Sequence, residues 1–201
     1  MIKAIIFDYG NVIHKWDNNI FLEKAVKKSN KSYRHINNLI FKSGLQDKFE
    51  LGELSATDFF RIIKKQCNLS MHRTEFFKDY TNRLFEKIPS TLTLIKRLKK
   101  NYKIALLSNT TKIDFERVTK KLREFPLFDS VTLSFKIGYA KPKKEIFLDA
   151  LKKLNLKPNE CVFIDDIKEY SEAASKLGIH GIYYTSYENL IKELKKLNIK
   201  V

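Results

Sequence analysis

Cysteine is scarce: Cys67 and Cys161 are the only two in 201 residues, lie far apart, and fit no metal-binding or redox spacing. A disulfide framework is thereby disfavoured, and both are expected as reduced, partly buried thiols. Glycine and proline are few, six and four residues; no stretch is of low complexity and no internal repeat is found. Long apolar runs are missing too. The N-terminal run Ala4-Ile5-Ile6-Phe7 is cut by Asp8 before a signal-peptide core could form, and nothing later approaches a membrane span, so a soluble cytoplasmic protein with no membrane partner is expected. Acidic residues are in deficit, 23 against 39 lysines and arginines, for a net charge of +16. The lysines come mostly as scattered pairs (Lys27-Lys28, Lys64-Lys65, Lys99-Lys100, Lys120-Lys121, Lys152-Lys153, Lys195-Lys196) on predicted helices, the pattern of solvated helix faces. No basic tail, arginine-rich segment or interleaved aromatic platform accompanies them. A dedicated nucleic-acid partner is disfavoured, while the field favours anionic substrates in general.

What is present is a globular composition, 43% hydrophobic and 31% charged, in a 23.7 kDa chain long enough for one large domain or for a core with an insertion. The first thirteen residues organise the rest. Ala4 to Phe7 are too few for a helix and stop at Asp8, which is followed by Gly10 and Asn11: a buried strand ending in a turn. Ligands of open α/β sheets bind outside the carboxyl ends of the strands, so Asp8 faces a site and is the candidate reacting group.

From about Asn18 to Leu84 the periodicity is helical throughout. Apolar faces are formed by Ile20, Phe21, Ala25 and Val26; by Ile36, Leu39 and Ile40; by Phe59, Phe60, Ile62 and Ile63 behind a Ser55 cap with Asp58; and by Phe76, Phe77, Tyr80 and Leu84. Seventy residues of helix exceed any single crossover and predict a small helical cap. From Ser90 strands and helices alternate. Strands are predicted at Lys103 to Leu107, Val131 to Phe135, Cys161 to Ile164 and His180 to Tyr184. The helix after the second strand is capped by Thr111 and Asp114 and carries Phe115, Val118 and Leu122; Gly178 ends the helix bearing Ala173, Ala174 and Leu177; Ser186 caps the last. Gly138-Tyr139-Ala140-Lys141-Pro142 is expected to open a helix, with the proline early in its first turn. The fold class is α/β: a Rossmann-like parallel sheet core, residues 1–15 and 86–201, with a helical-bundle cap inserted at 16–85.

Three strand ends present Asp8, Ser108-Asn109 and Asp165-Asp166, and the predicted helix start presents Lys141. Together they have a chemical logic. An aspartate can attack phosphorus to give an acyl phosphate; Asp8, Asp165 and Asp166 offer hard oxygen ligands for Mg2+; Ser108 and Lys141 can hold phosphoryl oxygens. A cation is needed there, because three carboxylates repel each other and a phosphate.

The motifs Ile6-Phe7-Asp8-Tyr9-Gly10-Asn11-Val12, Leu107-Ser108-Asn109-Thr110, Gly138-Tyr139-Ala140-Lys141-Pro142 and Val162-Phe163-Ile164-Asp165-Asp166 resemble, in order and spacing, those of the haloacid dehalogenase superfamily. The resemblance covers nearly the whole chain, cap included. Together with the cap segment Phe49-Glu50-Leu51-Gly52-Glu53-Leu54-Ser55, the first two motifs are similar to the glucose-1-phosphate phosphatase group within it. The resemblance implies an Mg2+-dependent phosphatase with Asp8 as nucleophile and metal ligand, the Gly10 carbonyl as second ligand, and Asp165 and Asp166 completing the metal site. It implies that Ser108 and Asn109 bind the phosphoryl group and that Lys141 offsets its charge. The expected partner is a small phosphorylated metabolite such as a sugar phosphate.

Two positions depart from that pattern. Most phosphatases of the superfamily carry an acid–base aspartate two residues after the nucleophile, where this chain has Gly10; His14 and Asp17 are the nearest titratable replacements. Ala140 stands where relatives commonly have arginine. Asn11 can bond substrate or shape the turn, with the turn preferred, and Trp16 and Tyr139 are read as packing residues rather than sugar platforms. The competing readings are a metal-independent dehalogenase, against which the acidic pair argues, and a catalytically degenerate binding protein.

Overall fold

The computed structural model describes the backbone of residues 1–201 and all side chains except those of Phe85, Val118, Thr119, Lys120 and Lys121. The inward face expected of Val118 and the solvated pair Lys120-Lys121 therefore lie outside the described side chains. In chain order the elements are β1 (Ala4–Phe7), β2 (His14–Trp16), α1 (Asn19–Lys27), α2 (Tyr33–Asn37), a π turn (Asn38–Lys42), α3 (Leu45–Glu50), α4 (Ala56–Gln66), α5 (Arg73–Thr81), β3 (Leu84–Lys87), α6 (Pro89–Leu98), β4 (Lys103–Ser108), α7 (Lys112–Lys121), β5 (Ser130–Leu133), α8 (Ser134–Ile137), α9 (Lys144–Leu154), β6 (Cys161–Asp165), α10 (Lys168–Lys176), β7 (His180–Tyr183) and α11 (Tyr187–Lys196).

Five strands pair in parallel in the order β5-β4-β1-β6-β7, the α/β class expected. Strand β1 is central, and Phe7 pairs with Leu106 on one side and Ile164 on the other, so Asp8, Ser108 and Asp165 emerge at one end of the sheet. Connections leave β1 toward β4 on one side and return to β6 on the other, which makes this end the topological switch point. Side chains alternate across β1: Ile5 and Phe7 pack with Leu94, Ile95 and Leu190, whereas Ala4 and Ile6 pack with Ile146, Phe147 and Ala174. Burial on both faces explains why β1 reads as a continuous apolar run. Both cysteines are free and buried, and among the described residues no helix is long and apolar enough to cross a membrane.

The helices between β2 and β3 have their own aromatic core. Phe21, Phe49, Phe59, Phe76 and Tyr80 are buried together, with Phe49 stacked on Phe59 at 4.3 Å between centroids and Phe21 edge-on to Phe76 at 5.2 Å. The caps at Ser55, Thr111 and Ser186 form as expected, and Gly178 follows α10 with a φ of 86°.

Three local expectations are corrected. The region expected to be all helix ends at Thr81, and Leu84 instead opens β3, which pairs antiparallel with β2 in a short ribbon at the base of the insertion. Ser134 and Phe135 belong to α8 rather than to a strand, because the Ser134 hydroxyl bonds Thr110 and the Glu50 carbonyl. Lys141 and Pro142 precede α9, which starts at Lys144: both backbone polar groups of Lys141 are taken by the Asn109 side chain and are lost to a helical ladder.

Insertion and core meet on buried polar contacts. Arg83 is fully buried, stacks on Tyr80 and Trp16, and pairs with buried Asp114 at 3.1 Å. Its Nε donates to the Tyr80 carbonyl and Nη1 to Asn18 Oδ1. A Cβ on Gly52, whose φ is 76°, would lie 2.8 Å from the Phe135 carbonyl oxygen, so only glycine permits this approach. Asp114→Ala strands the Arg83 charge and is expected to cost about 3–5 kcal/mol, read by urea unfolding; a cost below about 1 kcal/mol refutes a structural role for the pair.

Candidate active site

The sheet register delivers the site. Asp8, one residue beyond β1, is held by its N–H to the Ile164 carbonyl at 2.9 Å, and its side chain is almost wholly buried. Lys141 Nζ donates to Asp8 Oδ1 at 2.7 Å and to Asp165 Oδ2 at 2.6 Å, bridging the ends of two adjacent strands. Burial alone lowers a lysine's affinity for its proton, but the two carboxylates outweigh it and hold Lys141 well above the usual range, firmly charged. The carboxylates of Asp8, Asp165 and Asp166 offer oxygens within 4.8 Å of one another.

Asp165 and Asp166 are not equivalent. Asp165 is fully buried, and its oxygens accept from Lys141 and from the Ile167 N–H at 2.8 Å. Burial, aided by the charge of Asp8, pushes its carboxyl up to about 7. Asp166 faces the cavity, with one oxygen accepting from Asn11 Nδ2 at 2.9 Å; burial raises its carboxyl also. This set fits a hard divalent cation: three carboxylates clustered within reach of one ion, with mutual repulsion that a cation would relieve. The Gly10 carbonyl accepts one bond, from Val12 N–H at 2.7 Å, and retains a lone pair.

The other expected site residues converge with different uses. Ser108 ends β4, nearly buried at the cavity wall. Asn109 is adjacent, but its amide clasps the Lys141 backbone, donating to its carbonyl at 3.1 Å and accepting from its N–H at 2.8 Å. Asn11 shapes the turn with a φ of 51°, and its Oδ1 accepts from the Trp16 N–H at 2.9 Å. Trp16 lines the cavity but packs on Arg83, whereas Tyr139 is exposed and outside the lining. His14 stacks on Tyr9 and Asp17 accepts from the Asn19 N–H; neither lines the cavity.

A cavity of about 470 Å³ opens over Asp8, between core and insertion. Its upper wall comes from residues missing from the sequence-based set: Phe41 and Lys42 on the π turn, Gln46, Asp47 and Glu50 on α3, and Arg83. Glu50 and Gly52 lie in the Phe49–Ser55 segment already noted for its resemblance, the one sequence signal available. How α3 docks on the core is not written in its periodicity.

The sheet order, with three aspartates and a buried lysine gathered at the switch point, is of the α/β class in which sites form at the strand ends. The chain belongs to the haloacid dehalogenase-like hydrolase family, whose description matches residues 2–178. It is 27% identical over 186 residues to D-ribitol-5-phosphate phosphatase of Bacteroides thetaiotaomicron, covering 89% of each chain. It is 26% identical to a phosphorylated carbohydrates phosphatase of Thermotoga maritima, covering 90% of this chain and 84% of that one. Among solved structures it resembles a haloacid dehalogenase-family enzyme of Bacteroides thetaiotaomicron in complex with magnesium and inorganic phosphate, with TM-score 0.80, 25% identity, and coverage of 89% and 92%. The expectations of superfamily and of a phosphatase hold; the narrower likeness to the glucose-1-phosphate group remains an expectation.

Removing the bridging ammonium leaves two buried carboxylates without their cation. Lys141→Met is expected to destabilise the protein by about 3–5 kcal/mol at pH 8. The loss should shrink as pH falls toward about 7: burial and Asp8 raise the Asp165 carboxyl to about 7 even with the ammonium beside it, and without that charge it rises further and is held as a neutral acid there. Melting temperatures across pH 5.5 to 8.5, with and without Mg2+, check this; a pH-independent loss contradicts the electrostatic account.

Proposed function

We propose that the chain is a magnesium-dependent phosphomonoesterase that passes the phosphoryl group of a small sugar or polyol phosphate to Asp8 and then to water. The observation that carries this reading is Asp8 at the floor of the cavity, paired to a buried, permanently charged lysine and flanked by Asp166 and Ser108. Asp8 Oδ2, the oxygen not bonded to Lys141, is the attacking atom.

Lys141 spends two of its three N–H groups on Asp8 and Asp165 and keeps the third for a phosphoryl oxygen. The Ser108 hydroxyl is the second donor. Asn109 acts by fixing the Lys141 backbone, and Asn11 by orienting Asp166. Asp8, the Gly10 carbonyl and Asp166 are the groups that would hold Mg2+, with Asp165 kept back to position Lys141. When bound, the metal supplies positive charge that screens the phosphate from the carboxylates.

Residues 16–85 serve as the cap that selects substrate. Asn18, Lys42, Gln46 and Asp47 line its side of the cavity with donors and acceptors suited to hydroxyls. Relatives named for ribitol 5-phosphate and for phosphorylated carbohydrates support that substrate class, and the likeness to the glucose-1-phosphate group adds hexose phosphates to it.

Phosphate release from 4-nitrophenyl phosphate, ribitol 5-phosphate and glucose 1-phosphate is expected with Mg2+ and not with chelator. Asp8→Asn should lower it by at least about a thousand-fold. Folded protein that releases phosphate from none of the three, or an Asp8→Asn variant that keeps its activity, overturns the reading.

A further inference from the structure

Expelling an alkoxide from a phosphate ester needs a proton, and the strand end offers none. Gly10 has no side chain, although a Cβ there would sit in open van der Waals contact, 3.9 Å from both Asp8 Oδ2 and Trp16 Cβ. The carboxyls lining the cavity are Asp8, Asp166, Asp47 and Glu50. The first two belong to the nucleophile and metal set, and Asp47 lies exposed in the first turn of α3. Glu50 ends that helix, partly buried, at the seam with the core.

Its position is fixed from both sides. One carboxylate oxygen accepts from Gln46 Nε2 at 2.5 Å, and the Gln46 carbonyl accepts in turn from the Tyr80 hydroxyl. The Glu50 backbone carbonyl accepts from Ser134 Oγ at 2.6 Å, and Ser134 Oγ also accepts from the Thr110 N–H at 2.9 Å, two residues after Ser108. Glu50 is thereby tied to the loop that carries the phosphate donors.

We propose that Glu50 is the proton-transfer group of this enzyme, a carboxyl supplied by the cap in place of the one absent at position 10. The inference rests on the phosphatase reading above. As Asp8 Oδ2 forms its bond to phosphorus and the phosphorus–ester oxygen bond breaks, the Glu50 proton passes to the departing oxygen, giving a neutral alcohol. Glu50, now a carboxylate, then takes a proton from water as the water oxygen bonds phosphorus and the Asp8–phosphorus bond breaks. Inorganic phosphate leaves, and both side chains regain their starting states.

The surroundings suit that cycle. Burial raises the Glu50 carboxyl to about 7, the Gln46 bond and Arg83 charge oppose the rise, and Asp114 and Asp47 add to it. Burial raises the hydroxyl of Tyr170, which lines the same cavity; Lys141 opposes the rise, and Glu50, Asp165 and Asp8 add to it. Protonated below that value, Glu50 serves as acid first, so turnover of alkyl esters falls as pH rises through about 7.

The test compares wild type with Glu50→Gln on two leaving groups: 4-nitrophenolate, which departs without a proton, and the fastest alkyl ester among ribitol, glycerol and hexose phosphates. The expected result is a loss of about a hundred-fold or more with the alkyl ester. Nitrophenolate release in the first turnover stays within a few-fold of wild type, and the fall of alkyl turnover above pH 7 disappears from the residual activity. Equal loss with both esters assigns Glu50 a structural role and overturns the proposal. So does unchanged alkyl turnover, or a wild type that turns over the aryl ester alone. A wild type inactive on every ester overturns the phosphatase reading itself and this inference with it. Melting at pH 8 checks that the variant is folded, where an uncharged amide should be at least as stable as wild type; should it not fold, a wild-type profile without a falling limb near pH 7 is the overturning result.

Discussion

A single buried ammonium holds the site together. Lys141 lies between Asp8 and Asp165 with almost no exposure, so its charge is removed from water and is sustained only by the two carboxyl groups at hydrogen-bonding distance. Much of the local architecture serves that geometry. Parallel pairing of β1 with β6 sets the two aspartates side by side, Asn109 grips the Lys141 backbone, and the Ile167 N–H engages the remaining oxygen of Asp165. A lysine this constrained is a fixed positive charge rather than a titrating group. Transition-state stabilisation depends on charge that is in place before the reaction and does not reorganise during it.

The same physics recurs at the seam between core and insertion. Arg83 is a second buried cation, held by Asp114, two oxygen acceptors and the aromatic faces of Trp16, Phe41 and Tyr80. With the Ser134–Glu50 bond and the glycine-only contact at Gly52, it gives the insertion a defined seat on the sheet. The cavity above Asp8 is therefore walled by residues whose placement depends on polar contacts across the seam. The aromatic cluster inside the insertion keeps those helices together but does not orient them.

Legibility followed the physical range of each determinant. Strand ends were readable because a short apolar run that stops at a carboxylate is a local pattern, and the run of helices between the first two sheet strands was readable because seventy helical residues exceed any crossover. The β2–β3 ribbon was not, since His14, Lys15 and Trp16 carry no apolar alternation and gain strand character only by pairing with residues some seventy positions away. Ser134 and Lys141 misled for a related reason: their backbone or hydroxyl groups bond Thr110, Glu50 and Asn109, distant partners that override local propensity. Asn11 and Asn109, which the motifs point to, line the cavity but spend their amides on protein groups. Glu50 and Arg83 escaped because helical periodicity says which face is buried and not what it is buried against.

Placing proton transfer on the cap changes what the cap controls. A carboxyl at position 10 would ride on the same strand end as Asp8 and reach any leaving oxygen bound there. Glu50 instead shares α3 with Gln46 and Asp47, which line the cavity on the side away from the strand ends, where the alcohol portion is proposed to lie. Recognition of the alcohol and protonation of its oxygen then depend on one helix, so an alcohol that seats poorly on α3 forfeits its proton donor along with its binding contacts. Binding energy from the non-reacting part of a substrate is in this way spent on the chemical step. Discrimination among phosphate esters consequently falls on kcat as well as KM, and it follows the residues of α3 more closely than those of the strand ends.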